Sequence, residues 1–167
     1  MPSTIRRIIA GAAAGVIGTA AMDAVWYRRY RQGGGDAGPV EWDLSTGSTG
    51  SFDEASTPGQ VGEAVAEAIG VDLPDDAAGV TTDVVHWLTG ISYGVGHALL
   101  HDERGVVTGG LATGMTAFLN SYLTLGAAGF YQPIWDYEAE ELAKDLGAHL
   151  AYGLAAAAAY RVLRRRG

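Results

Sequence analysis

Asp83 and His86 stand three residues apart, and Asp145 and His149 stand four apart. On a helix, either spacing puts an acid and an imidazole on one face. Histidine is the side chain whose charge ordinarily changes between about pH 5 and 8, and a nearby carboxylate favours its protonated form. Each pair could therefore sense or carry a proton. Two histidines with carboxylates could also hold a divalent metal, the acids acting as ligands or as partners of the ligating imidazoles. Axial haem ligation is the weakest of these chemistries, because the familiar paired-histidine pattern through two spans is absent. No cofactor is demanded by the pattern. The plain structural alternative is that both acids favour a helix N-terminus, worth about 0.3–1 kcal/mol each.

The elements carrying these pairs are apolar. Residues 80–100 begin with the first pair, and residues 146–163 follow the second acid and contain its histidine. Residues 8–26 form another such run, with Asp23 its only charge, flanked by Arg6-Arg7 and by Arg28-Arg29-Tyr30-Arg31. At 1.5 Å per residue, its 19 residues nearly match a hydrocarbon core of about 30 Å. A cleaved signal peptide is the rival reading of that run, and its glycines together with three further runs favour a retained helix. Residues 105–125 complete the set. A mean hydropathy of only +0.09 does not contradict membrane spans, because a polar insert dilutes the average. The insert covers residues 32–79 and is rich in Gly, Ser, Asp and Thr as far as Thr57. That first part is expected to be a loop, followed by a short amphipathic helix opened by Pro58 and a break at Leu73-Pro74.

Composition removes several classes of function. The net charge is −8, and Lys144 is the only lysine among 11 basic residues, so no basic face is available for nucleic acid. Without cysteine there is no disulfide, thiolate metal site or cysteine nucleophile. HExxH, Walker A and a strand-borne GxGxxG are absent, which makes an enzyme the weaker reading. A metal-dependent membrane enzyme is the enzymatic alternative.

Each apolar run carries a line of small or polar residues at helical spacing. Asp83, His86, Gly90, Gly94, His97 and His101 share one face of the second run. Gly11, Gly15, Gly18 and Met22 line the first, Gly110, Gly114, Ala117, Ser121 and Thr124 the third, and Asp145, His149, Tyr152 and Gly153 the fourth. Small residues at these intervals let helix backbones approach closely, within one chain or against a second copy in a homo-oligomer.

Topology adds depth to this pattern. Placing both termini in the cytoplasm leaves Arg6, Arg7, Arg104, Arg161, Arg164, Arg165 and Arg166 inside, against Arg28, Arg29, Arg31 and Lys144 outside. Asp23, Asp83, His86, Asn120, Asp145 and His149 then fall in the outer third of the membrane, where ionisable groups are costly and usually functional. His97 and His101 lie near the inner surface.

The C-terminal half resembles the YagU-like small inner-membrane proteins, a domain family of unknown function. The shared features are His86 ten residues before Gly96, the Gly105-x-x-x-Gly109-Gly110 start of the next run, and Pro133 before an aromatic and acidic stretch. Glu141, Asp145 and His149 at intervals of four, leading into a run that closes on Arg164-Arg165-Arg166, complete the resemblance. It implies a helical protein of the cytoplasmic membrane with a link to acid response. The long acidic insert and His97, where an aromatic residue is usual, depart from the family pattern.

The expectation is therefore an all-α protein: a single membrane domain over residues 1–167, a four-span transmembrane helical bundle with one short extracytoplasmic amphipathic helix. It is multi-pass, with its lipid bilayer as partner. Its function is to bind or sense a proton, cation or small polar ligand through the six outer residues. The alternative is a structural or assembly subunit whose lines serve packing alone. A soluble four-helix protein is disfavoured because its helices would carry charged faces.

Overall fold

A computed structural model describes residues 4–46, 50–101 and 103–166. Among these residues the chain is all-helical. The elements are α1 Thr4–Gln32, α2 Pro39–Thr46, α3 Thr57–Ala68, α4 Ala78–Leu100, α5 Val106–Ala127 and α6 Ala139–Arg166. Short 3-10 turns occupy Asp75–Ala77 and Ile134–Asp136. The four apolar runs fall on α1, α4, α5 and α6. Asp102, in the expected tight connection before α5, lies outside the described residues.

One element departs from expectation. Residues 32–57 read as a loop, yet α2 forms within them. Pro39 stands at its first position with φ already set for a helix, and Glu41 lies in the first turn, where the macrodipole favours an acid. Trp42 then packs on Tyr27 and Tyr30, with ring centroids 5.5 and 6.1 Å away. That tertiary contact leaves no period in the local sequence. At the other end of the chain, α6 starts slightly later than Tyr137, because Tyr137 is extended after the 3-10 turn.

The chain groups into two compact units, Met1–Trp26 with Gly90–Gly167, and Tyr27–Thr89. The second unit has a small core of its own, in which Phe52, Ala55 and Ala78 are buried with Leu73 and Ala77 packed against them. Its α3 ends in a Schellman motif. Gly70 has φ +79°, the Val71 amide donates to the Ala66 carbonyl, and the Gly70 amide donates to that of Glu67. α3 lies against the first turns of α4: a Cβ on Gly62 would fall 3.0 Å from the Val85 side chain.

In the first unit, helices meet through glycine. On α1, Gly11, Ala14, Gly15, Gly18, Thr19 and Met22 are buried, at alternating steps of three and one. A Cβ on Gly15 would lie 2.6 Å from the Gly90 carbonyl oxygen, and one on Gly11 would lie 2.8 Å from that of Gly94. The same geometry joins α5 to α6, where a Cβ on Gly110 would come within 2.8 Å of the Leu154 Cα and one on Gly114 within 2.5 Å of the His149 carbonyl. These distances are below any real Cβ contact, so only glycine fits. Tyr152 bridges further, its hydroxyl donating to the Gly90 carbonyl at 2.5 Å. At the C-terminus of α4, the Arg7 guanidinium donates to the carbonyls of Ala98, at 2.6 Å, and Leu99, at 3.2 Å. Those carbonyls have no partner within the helix, so a cation suits them twice over. α5 ends on Gly129, φ +85°, with the Phe130 amide donating to the Leu125 carbonyl.

α1 is long and apolar enough to cross a membrane, with mean hydropathy 1.7 over its best stretch, and it is the one such helix among the described residues. α4 is diluted by Asp83, His86 and His97, α5 by glycine and threonine, and α6 by its acidic first turns. Four crossings are therefore not established by length and hydropathy.

Gly114→Val is expected to destabilise the protein by about 1–3 kcal/mol or more, because the added side chain meets backbone that cannot move aside. Gly96 on α4 has open space around its Cα. Gly96→Ala is expected to be neutral or to stabilise by about 0.5–1 kcal/mol. Thermal unfolding of the two variants beside the parent checks both. Equal effects would mean that the α5–α6 contact is not close.

Candidate functional site

The acid–histidine pair on α6 forms as the spacing predicts. His149 Nδ1 lies 3.2 Å from Asp145 Oδ1 and 3.0 Å from the Asp145 backbone oxygen, so one N–H is shared between the two acceptors. The side chains are 15 % and 20 % exposed. The Tyr122 hydroxyl of α5 also bonds to the Asp145 carboxylate. The imidazole meets Phe118 edge-on at 5.8 Å, and Tyr122 stacks in turn on Phe118, Tyr131 and Tyr137. The carboxylate thus has two partners from two helices, under an aromatic lid from α5 and the α5–α6 connection. Tyr122 is absent from the expected set. Its spacing from Phe118 marks it as a core residue, and only the packing of α5 on α6 aims its hydroxyl at Asp145.

The other expected residues are placed differently. Asn120 is exposed on α5, and its side-chain amide donates to the Tyr93 hydroxyl at 2.7 Å. Asp23 is half-buried on α1, next to Met22 of the core formed with Ala148, Tyr152 and Ala156. Asp83 and His86 are half-buried on the first turns of α4, in the Tyr27–Thr89 unit. Among the described residues, no three His, Asp or Glu side chains come close enough together to hold a metal ion. The divalent-metal chemistry considered above has no ligand set there.

A second polar group lies about 13 Å further along α5, at its N-terminal end, as nine residues of helix dictate. His97 is 5 % exposed, and its Nδ1 lies 2.7 Å from Thr113 Oγ1. His101 Nδ1 lies 3.2 Å from the same oxygen. The Thr113 hydroxyl donates its single hydrogen to the Gly109 carbonyl at 2.9 Å, which leaves two lone pairs to accept. Both histidines must then donate from Nδ1, so the protons are assigned by the hydrogen-bond arithmetic. The His97 ring stands edge-on to Tyr160 at 5.6 Å. The six-residue line on α4 already contained His97 and His101. Their common partner Thr113 sits beside Gly114 in the line on α5, and no spacing rule connects the two helices.

Beside this group is a cavity of about 170 Å³ where α6 ends and α5 begins. His97, Tyr160, Arg104 and Arg161 are among its walls. Burial first, and then the Arg104 guanidinium, hold His101 below the ordinary histidine pKa of 6.5. Neutral His101 therefore contributes stability that is in place above its unfolded value, near pH 6.5, and is lost as pH falls toward the lower folded value.

Comparison with protein-family models, with curated proteins and with solved structures gives no match. The YagU-like resemblance accordingly stands on the residues quoted for it.

Thr113→Val keeps the shape and removes the shared acceptor. It should cost about 1–3 kcal/mol, because two imidazole N–H groups lose their partner. Thermal unfolding checks this, and an unchanged midpoint would mean that water replaces the hydroxyl. Arg104→Gln should bring the His101 resonance to a higher titration midpoint in NMR, and should flatten the loss of stability between about pH 7 and pH 5. Because burial is the larger cause, the change is partial.

Proposed function

We propose that this chain is a multi-pass protein of the cytoplasmic membrane with both termini in the cytoplasm. One observation carries the reading. On α5, Val107, Leu111, Met115, Leu119 and Leu123 are exposed at strict intervals of four, while Gly109, Gly110, Thr113, Gly114 and Ala117 are buried together with the aromatic Phe118 and Tyr122. α1 repeats the inversion, with Ile5, Ile8, Ile9, Val16 and Ile17 outside and glycine, alanine and threonine inside. A water-soluble helix buries its large aliphatic residues and exposes charge. In lipid there is no such incentive, and helices pack through their small residues. α5 contains no Asp, Glu, Lys, Arg or His over its whole length, which also suits a hydrocarbon environment. On this reading α4, α5 and α6 cross the bilayer with α1, and α3 is the short helix outside it.

Within that membrane protein, the Asp145–His149–Tyr122 group is the site for a proton or small cation, and the protein serves as a sensor or permeation element rather than an enzyme. Its support is an ionisable pair enclosed by aromatic rings, which the proposed topology puts at bilayer depth. The acid response implied by the YagU-like resemblance is compatible with that chemistry. The assembly-subunit reading is favoured by a different observation: Asn120, Asp145 and His149 all have local hydrogen-bond partners, as helix glue would.

Two measurements test the proposal. After alkaline carbonate washing, the protein should remain in the membrane pellet, and reporter fusions at the C-terminus and at Gly50 should report opposite sides. Release into the wash, or both reporters on one side, sinks the membrane reading. In proteoliposomes loaded with a pH dye, an acid pulse should be transmitted, and Asp145→Asn with His149→Gln should reduce the response by about tenfold. A parent response equal to that of empty vesicles would leave the membrane protein standing and return the site to helix packing.

A further inference from the structure

The cavity at the end of α6 carries the opposite charge from the chain as a whole. The protein has a net charge of −8, yet Arg104, Arg161, Arg164 and Arg165 line this one space, and among the described residues Glu103 is the only acid in its walls. That leaves an excess of three positive charges around about 170 Å³. Arg161, Arg164 and Arg165 follow one another at helical spacing and come from α6, while Arg104 comes from the connection before α5. Guanidinium groups gathered around one space favour an anion among them. Their planar forks match the oxygens of a phosphate in a way that a lysine does not.

Backbone supplies a second, independent element. α5 begins here, and Gly105 and Val106 are both cavity walls. Its N-cap is Gly105, which has no side chain to accept from the first-turn amides, and among the described residues no side chain caps the helix. The unsatisfied N–H groups and the positive end of a 22-residue helix therefore open toward the same space as the arginines. The floor is built rather than open: His97 and Tyr160 are 5 % and 2 % exposed and lock each other edge-on.

We infer that this cavity is a binding site for a phosphate-bearing anion, held by the arginine forks over the N-terminus of α5. Two sources share that chemistry. One is the headgroup of an anionic phospholipid, which would reach a basic pocket at the cytoplasmic ends of membrane helices. The other is free phosphate or a soluble phosphate ester. The lipid source rests on the membrane reading above, and the phosphate chemistry does not.

The test uses the full chain in a non-ionic detergent, titrated by calorimetry with inorganic phosphate and, separately, with dihexanoyl phosphatidylglycerol. Dihexanoyl phosphatidylcholine serves as the neutral control. Arg161 and Arg165 are exposed, so Arg161→Gln with Arg165→Gln removes two forks without disturbing the core. Binding should weaken by about tenfold or more. Arg28→Gln with Arg31→Gln removes the same charge elsewhere and should leave affinity within about twofold. A further variant, Gly105→Asp, places a favourable N-cap carboxylate over the amides, so it should retain or raise thermal stability while abolishing anion binding. Binding of inorganic phosphate assigns a soluble anion, and binding of phosphatidylglycerol alone assigns a lipid headgroup. Either supports the site. Failure of both anions to bind, or equal weakening by the two double variants, overturns it. If the protein proves soluble without detergent, the membrane reading falls and the phosphate titration still decides this one.

Discussion

Everything in the first unit depends on how closely its helix backbones approach. Gly11 and Gly15 lie against Gly90 and Gly94, and Gly110 and Gly114 lie against Gly153 and the backbone of residues 149–154. At such separations, attraction comes from many dispersion contacts between backbones, each small and collectively large. The seams hold few bulky side chains, so little rotamer entropy is lost in forming them. Hydroxyl groups complete the fit. Thr19, Thr113 and Ser121 donate to carbonyls one turn earlier on their own helices, and so can lie in a seam with their donors satisfied.

Using small residues for the interior sends the large ones outward. Burying Gly and Ala returns little hydrophobic free energy, so a chain packed in this way in water would leave much of its driving force unspent on the surface. The exposed leucines, isoleucines and valines of α1 and α5 are consistent with a surrounding that is itself apolar. Gly11, Gly15, Gly110 and Gly114 lie against neighbouring helices of the same chain.

Polar groups then collect at the two ends of the α5–α6 contact. At one end Asp145, His149 and Tyr122 form a closed triad, and at the other Thr113 gathers two histidines beside an arginine-lined cavity. Both sets gather two donors on one residue: the Asp145 carboxylate accepts from His149 and Tyr122, and the Thr113 hydroxyl accepts from His97 and His101. Such groups tolerate no loss, because each removed acceptor leaves more than one donor stranded.

The four long helices, their glycine faces and the Asp145–His149 pair were all legible in the sequence, because each depends on a period within one helix. The helix from Pro58 and the stop after Leu125 were legible for the same reason: proline, glycine and acids act locally on the backbone. Tertiary structure decided the rest. α2 exists because Trp42 finds Tyr27 and Tyr30, a contact without local period. Asn120 turned to Tyr93, and Tyr122 to Asp145, because side-chain partners are set by how helices rotate against each other. His97, Thr113 and the four arginines come from α4, α5, α6 and a connection, four stretches that no spacing rule relates. Sequence determined which face of each helix is small and which is large. Only packing determined which polar atoms on those faces would meet, because hydrogen bonds are satisfied by distance in space and periodicity measures distance along one helix.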